Sequence, residues 1–126
     1  MTKNQQPHTS EDSEQAVIFE WAQYSLARFP ALALMFHIPN GGKRSKAEAA
    51  RFKAQGVKAG VPDIFLPAPR GKYHGLFIEL KADGGRASRE QEGYIKALTQ
   101  QGYYCALCFG ATNAINLITR YLEGRI

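Results

Sequence analysis

Residues 76–81, Leu-Phe-Ile-Glu-Leu-Lys, place the strongest constraint on how this chain can fold. Leu76, Ile78 and Leu80 alternate with the other three side chains, and a period of two is typical of a β-strand. Glu79 and Lys81 are two positions apart, so they lie on the same face of the predicted strand. A carboxylate and an ammonium are therefore directed to one place.

The segments around this strand predict an α/β fold. Pro30 ends the first helical pattern, and Ser45-x-x-Glu48 and Ser88-x-x-Gln91 have the capping-box pattern that begins a helix. Helices are predicted over residues 13–29, 45–55, 88–101 and 111–122, and strands over 33–38, 63–66, 76–81 and 103–109, the last of them buried. This order predicts a mixed β-sheet flanked by helices.

The length of 126 residues suits one domain, since domains cluster at roughly 100–150 residues. Residues 1–10 are polar and lack periodicity, so we expect a flexible tail followed by a single domain over 11–126. Two cysteines exclude a disulfide framework and suit a reducing compartment. The longest apolar stretch, residues 31–36, is far shorter than the roughly 20 residues that cross a bilayer. A soluble, cytoplasmic protein is expected.

The formal net charge of +5 comes from one segment. Residues 41–60 hold six basic side chains against Glu48 alone, and the rest of the chain sums to zero. The six are Lys43, Arg44, Lys46, Arg51, Lys53 and Lys58. Such a segment predicts a polyanionic partner, although a solvated helix face without a partner is the alternative. Gly42-Lys-Arg-Ser45 lacks the pattern of a phosphate loop, so no nucleotide cofactor is expected.

Asp63 is expected to join Glu79 and Lys81. If residues 67–74 connect a hairpin, residues 63 and 81 are symmetric about residue 72, and the three side chains converge. Two carboxylates suit a hard cation such as Mg²⁺, and a nearby lysine can orient an attacking water and neutralise charge on phosphorus. This combination is what metal-assisted phosphodiester hydrolysis requires. The alternative is a structural ion pair between Glu79 and Lys81 on an exposed strand face.

The motifs Gly60-Val-Pro-Asp63, Ile78-Glu-Leu-Lys81 and Ser88-Arg-Glu-Gln91 together resemble the PD-(D/E)xK nuclease superfamily. The nearest resemblance is to its virus-type replication-repair branch, VRR-NUC, in the standalone form found in phages and bacteria. It implies a restriction-endonuclease-like α/β fold, a mixed sheet with flanking helices, in the cytoplasm of a bacterium or a phage-infected host cell.

The resemblance also implies roles for individual residues. Asp63 and Glu79 would bind Mg²⁺ or Mn²⁺ together with the backbone carbonyl of Leu80, and Lys81 would be the catalytic lysine. An acidic residue of the first helix, matched best by Glu14 with Glu20 as the rival, would complete the site and the metal ligands.

Two further positions stay open. The resemblance places Gln91 in the catalytic site, yet the same residue could simply cap its own helix. His37 and Asn40 belong to a His-x-Pro-Asn-Gly-Gly segment that is similar to segments in phage members of this family. The two residues either lie near the substrate phosphate or are ordinary residues of a strand end and a turn.

The sequence therefore predicts a Mg²⁺- or Mn²⁺-dependent endodeoxyribonuclease that acts on branched DNA such as Holliday junctions. The expected phosphate-binding residues are Lys43, Arg44, Arg51, Lys53, Lys58, Arg86 and Arg89. One site cuts one strand, so a homodimer is expected for a symmetric junction. The alternatives are a non-catalytic nucleic-acid-binding module and a sequence-specific restriction endonuclease.

Overall fold

The structure, a computed structural model, describes residues 10–39 and 45–126. Its helices are α1 (Glu11–Tyr24), α2 (Lys46–Ala54), α3 (Arg89–Gln100) and α4 (Ala111–Leu122), with a 3₁₀ helix at Pro30–Leu34. Its strands are β1 (Phe36–His37), β2 (Ile64–Leu66), β3 (Leu76–Lys81) and β4 (Tyr104–Phe109). The predicted tail at 1–10 lies outside the described residues except for Ser10, which caps α1.

The four strands form one mixed sheet in the order β1-β2-β3-β4. β1 pairs antiparallel with β2, β2 pairs antiparallel with β3, and β3 pairs parallel with β4. This is the mixed sheet with flanking helices that the order of the segments predicts. Within residues 10–39 and 45–126, no helix is both long enough and apolar enough to cross a membrane.

The main core lies on one face of the sheet. Ile64, Ile78 and Leu80 project from this face and are almost completely buried. They pack in one cluster with Ile18 of α1 and with the apolar face of α4. The opposite face of β3 carries Phe77, Glu79 and Lys81, as the period of two predicts.

Both predicted capping boxes are present. Ser45 accepts a hydrogen bond from the backbone of Glu48, and Ser88 accepts one from the backbone of Gln91. In each case the side chain three residues into the helix accepts a hydrogen bond from the backbone N–H of the capping serine. Local chemistry alone therefore located the starts of α2 and α3.

Two predicted elements have wrong boundaries. α1 was predicted to continue to residue 29 but ends at Tyr24. The chain then forms a separate turn before Pro30, in which the Phe29 N–H donates a hydrogen bond to the Ser25 carbonyl. The first two residues of the predicted strand 33–38 are the end of a 3₁₀ helix that starts at Pro30, where the fixed φ of proline favours a helical turn.

β4 is not the buried strand that was predicted, because it forms an edge of the sheet. Cys108 is the only fully buried residue of this strand, and Leu107 and Phe109 are more than a third exposed. An apolar run does not distinguish an edge strand from a central one.

Candidate active site

Asp63 and Glu79 meet at the start of β2. Ile64 is paired with Ile78, so the same register continued by one residue places Asp63 opposite Glu79. The predicted hairpin placed residue 63 opposite 81 instead. In the structure, the residue numbers of the paired positions are symmetric about residue 71. The difference arises because the three residues Pro67–Pro69 lie opposite only two residues on the other strand. Neither proline has a backbone N–H that could donate a hydrogen bond to the other strand. Asp63 Oδ2 accepts a hydrogen bond of 2.8 Å from the Leu80 N–H, which fixes the carboxylate beside β3.

Glu79 is the buried centre of this arrangement, with a relative exposure of only 2%. Its Oε2 accepts a hydrogen bond of 2.9 Å from Gln91 Nε2 and lies 3.4 Å from Lys81 Nζ. Its Oε1 is buried and has no hydrogen-bond partner within the described ranges. A buried carboxylate oxygen without a partner is costly, so it marks a place where a bound cation or water would be stabilised.

Gln91 forms a hydrogen bond at each end of its side-chain amide. Its Oε1 accepts a hydrogen bond of 2.8 Å from the Ser88 N–H, and its Nε2 donates to Glu79. The two ends of one amide therefore cap α3 and orient Glu79. From the sequence, the helix cap and the contact with the catalytic site were alternatives, because a sequence does not show how close the start of α3 lies to β3.

Burial and charge raise the pKa values of both carboxyl groups. Burial raises the pKa of Glu79 from 4.5 to about 7, and the charge of Asp63 adds to this effect. Burial also raises the pKa of Asp63, against the opposing effect of its hydrogen bond from Leu80. Two such carboxyl groups side by side carry a proton more readily than either would alone, and a divalent cation can replace that proton.

The raised pKa of Glu79 predicts how stability without metal depends on pH. The folded protein binds the proton more tightly than the unfolded chain does, so the free energy of unfolding falls as pH rises from about 4.5 to about 7. The slope approaches about 1.4 kcal/mol per pH unit. Denaturant unfolding in EDTA between about pH 5 and about pH 8 measures it, with Glu79→Gln as the control, which should lose the part of this decline that Glu79 causes. An equal slope in wild type and variant would contradict the assignment.

The backbone carbonyl of Leu80 is well placed for the metal-binding role that the family resemblance implies. The register between β2 and β3, continued by two residues, puts Pro62 opposite Leu80. Proline has no N–H, so it cannot donate to the Leu80 carbonyl as another residue in a ladder would. No three His, Cys, Asp or Glu side chains cluster as metal ligands anywhere in 10–39 and 45–126. A cation here would therefore bind Asp63, Glu79 and this carbonyl, with water in the remaining positions.

The acidic residues of α1 occupy different positions. Glu14 Oε1 accepts a hydrogen bond of 2.6 Å from the Ala111 N–H, so it caps α4, whose own capping residue is Gly110 and has no side chain. Glu20 is exposed. The charge of Glu11, one helical turn before Glu14, contributes to the raised pKa of Asp63. Glu11 is not one of the residues that the family resemblance predicts, and its one signal in the sequence is its place in the acidic first turn of α1 with Glu14.

Five of the predicted phosphate-binding residues lie in the two chain connections that lead to or from the carboxylate pair. α2 lies in the connection from β1 to Asp63, and its Arg51 and Lys53 are exposed, as is Lys58. Arg86 is exposed in the connection between β3 and α3, and Arg89 is exposed in the first turn of α3. None of these five cations forms a salt bridge with another described residue. Lys43, Arg44 and Asn40 lie outside the part of the chain that the structure describes.

His37 contacts the site through the backbone. Its Nδ1 lies 2.8 Å from the carbonyl oxygen of Asp63, which also accepts a hydrogen bond from the Ile38 N–H. The imidazole thus supports the end of β1 against the residue that carries one of the two carboxylates. Nothing in this contact requires a substrate phosphate.

A family model and a solved structure both relate this chain to the VRR-NUC domain. A family model described as the VRR-NUC domain matches residues 9–112. A solved structure titled "VRR_NUC domain protein" is similar at 35% sequence identity with a TM-score of 0.80, and the alignment covers 93% of this chain and 91% of the other. No curated protein matches the chain.

Proposed function

The chain belongs to the VRR-NUC family of nuclease domains, and from this premise we propose that it is a metal-dependent endonuclease that cuts branched DNA. The observation that carries the proposal is the pair of carboxylates, Asp63 and Glu79, beside Lys81. The buried Oε1 of Glu79, without a partner in the described structure, is the atom that a cation would satisfy.

The proposed site uses Mg²⁺ or Mn²⁺ with Asp63, Glu79 and the Leu80 carbonyl as ligands. When bound, the cation lowers the pKa of a coordinated water and neutralises charge on the scissile phosphate. The ammonium group of Lys81 lies 3.4 Å from Glu79 Oε2, and in the proposed reaction it stabilises negative charge as the phosphodiester bond breaks. Gln91 holds Glu79 in place through its amide. For the helix carboxylate, Glu11 joins Glu14 as a candidate because its charge acts on Asp63.

A homodimer is part of the same proposal. A four-way junction has two symmetric strands to cut, and one copy of this site cuts one strand. Two copies related by a two-fold axis match the symmetry of that substrate.

Cleavage of labelled DNA tests the proposal. We expect junction or flap DNA to be cut in Mg²⁺ or Mn²⁺ and to remain intact in EDTA, with a fully paired duplex of the same sequence cut more slowly. Binding is measured in parallel by gel shift. Intact binding without cleavage in either metal would instead favour a non-catalytic DNA-binding module.

The basic residues predict a strong salt dependence of DNA binding. If about six phosphates are neutralised, the slope of log K against log salt concentration should be roughly −5. Fluorescence anisotropy with a labelled junction over a range of salt concentrations measures this slope. Arg51→Ala should make it shallower by about 1, whereas Lys96→Ala, on the far half of α3, should leave it unchanged. A slope near zero would contradict the assignment of a basic DNA-binding surface.

A further inference from the structure

A row of aromatic rings crosses the sheet beside the carboxylate pair. Phe36, Phe65 and Phe77 are paired across β1, β2 and β3. The rings of Phe65 and Phe77 are stacked with centroids 4.1 Å apart, and Phe36 meets Phe65 edge to face at 5.8 Å. Tyr103 packs edge to face against both Phe65 and Phe77, so the inner rings are fixed.

The row lies on the same face of the sheet as the proposed site. Phe77 is two residues before Glu79 on β3, and Phe65 is two residues after Asp63. Side chains two residues apart on a strand share a face and are separated by about 7 Å. The aromatic row is therefore the next row along from the two carboxylates, at about the spacing of a single nucleotide.

The exposure of the rings changes along the row. Phe77 is only 8% exposed, whereas Phe36, at the edge of the sheet, is 47% exposed. The connection that follows β1 carries the exposed cations Arg51 and Lys53. An accessible aromatic ring that packs against a second ring, on a strand followed along the chain by a basic segment, is a combination that suits the face of a nucleobase and its phosphate.

We propose that Phe36 stacks on an unpaired base next to the scissile phosphate and so selects DNA that has a single-stranded or flipped nucleotide at the cut. In a duplex the bases are already stacked on one another, so only an unpaired nucleotide offers a free face. Phe36 would therefore make the protein select DNA by its structure and not by its base sequence, because every base has a face on which a ring can stack. The inference rests on the proposed function for the identity of the ligand as DNA.

Fluorescence of 2-aminopurine tests the stacking directly. A flap with 2-aminopurine at its first unpaired position and a duplex with the same base paired are titrated with the protein in EDTA, so the readout does not depend on cleavage. Wild type should quench the flap signal, and Phe36→Trp should keep this effect. Phe36→Ala should bind the flap roughly 5- to 150-fold more weakly, with duplex affinity unchanged.

Two variants serve as controls. Phe36→Leu keeps an apolar side chain on β1 but has no ring, so it should lose the quenching while retaining the fold. Tyr24→Ala removes an aromatic side chain that is 85% exposed at the end of α1 and should behave as wild type.

Quenching by Phe36→Leu equal to that of wild type, or an equal loss of flap and duplex affinity in Phe36→Ala, would overturn the inference. Quenching that depends on Phe36 in a protein that never cuts DNA would overturn the proposed function alone. Absence of binding to either DNA would overturn both.

Discussion

Glu79→Gln is expected to lower the rate of DNA cleavage by about 10²- to 10³-fold, which is typical for loss of one group that stabilises charge in a transition state. The substitution removes one of two carboxylates from the proposed metal site while leaving an amide of nearly the same shape. Gln91 Nε2 can still donate to the new side-chain oxygen, so the start of α3 should keep its position. Cleavage rates at saturating DNA, measured over a range of Mg²⁺ and Mn²⁺ concentrations, test this expectation.

The same variant should be more stable than wild type above about pH 7 without metal, because it removes a buried carboxylate whose pKa is raised to about 7. Lost activity together with gained stability separates a catalytic role from a simple folding defect. Glu92→Gln is the matched control, since Glu92 is exposed in the first turn of α3. Full cleavage activity of Glu79→Gln would contradict the proposed role of Glu79 in the active site.

Gly60→Ala is expected to lower both stability and activity. Gly60 has a φ of +89°, and a Cβ placed there would lie 2.4 Å from the carbonyl oxygen of Glu90 and 3.0 Å from the backbone nitrogen of Gln91. These atoms belong to the first turn of α3 and cannot rotate away as a side chain can. The helix must shift, and Gln91 would then lose its position against Glu79. A displacement of about 1 Å can cost about 100-fold in rate.

Gly56→Ala is a close control for this variant. Gly56 has a similar φ of +98°, but a Cβ there would meet no atom within 4 Å. Both variants incur backbone strain of about 1–3 kcal/mol, and only Gly60→Ala should also reduce cleavage by about 10- to 100-fold. Thermal unfolding and single-turnover cleavage of both proteins separate the two effects. Equal activity of the two variants would show that the position of α3 does not matter for the site.

Features that depend on a few neighbouring residues were predictable from the sequence. Ser45 and Ser88 begin α2 and α3 as their capping patterns indicate, because a capping box is satisfied within four residues. The face of β3 that carries Glu79 and Lys81 follows from the period of the strand alone. α4 spans Ala111–Leu122 as its amphipathic pattern predicts.

Features that depend on distant neighbours were not predictable. The register that places Asp63 opposite Glu79 depends on how Pro67 and Pro69 displace the hairpin. The role of Glu14 as a cap for α4 depends on a contact between residues 97 positions apart. The edge position of β4 follows from the order of strands, which no property of the residues 104–109 encodes locally.

The amino-acid sequence fixes which functional groups are available: an aspartate after a proline, a Glu-x-Lys strand and a glutamine three residues after a serine, within the residues 9–112 that match the VRR-NUC domain. How these groups meet depends on the packing of the strands and helices. The tertiary structure buries Glu79 between Asp63 and Lys81, and it shows that one Gln91 amide both caps α3 and binds Glu79. The reason is physical, since residue types fix which charges and hydrogen bonds are available, whereas burial and distance arise only when strands and helices pack together.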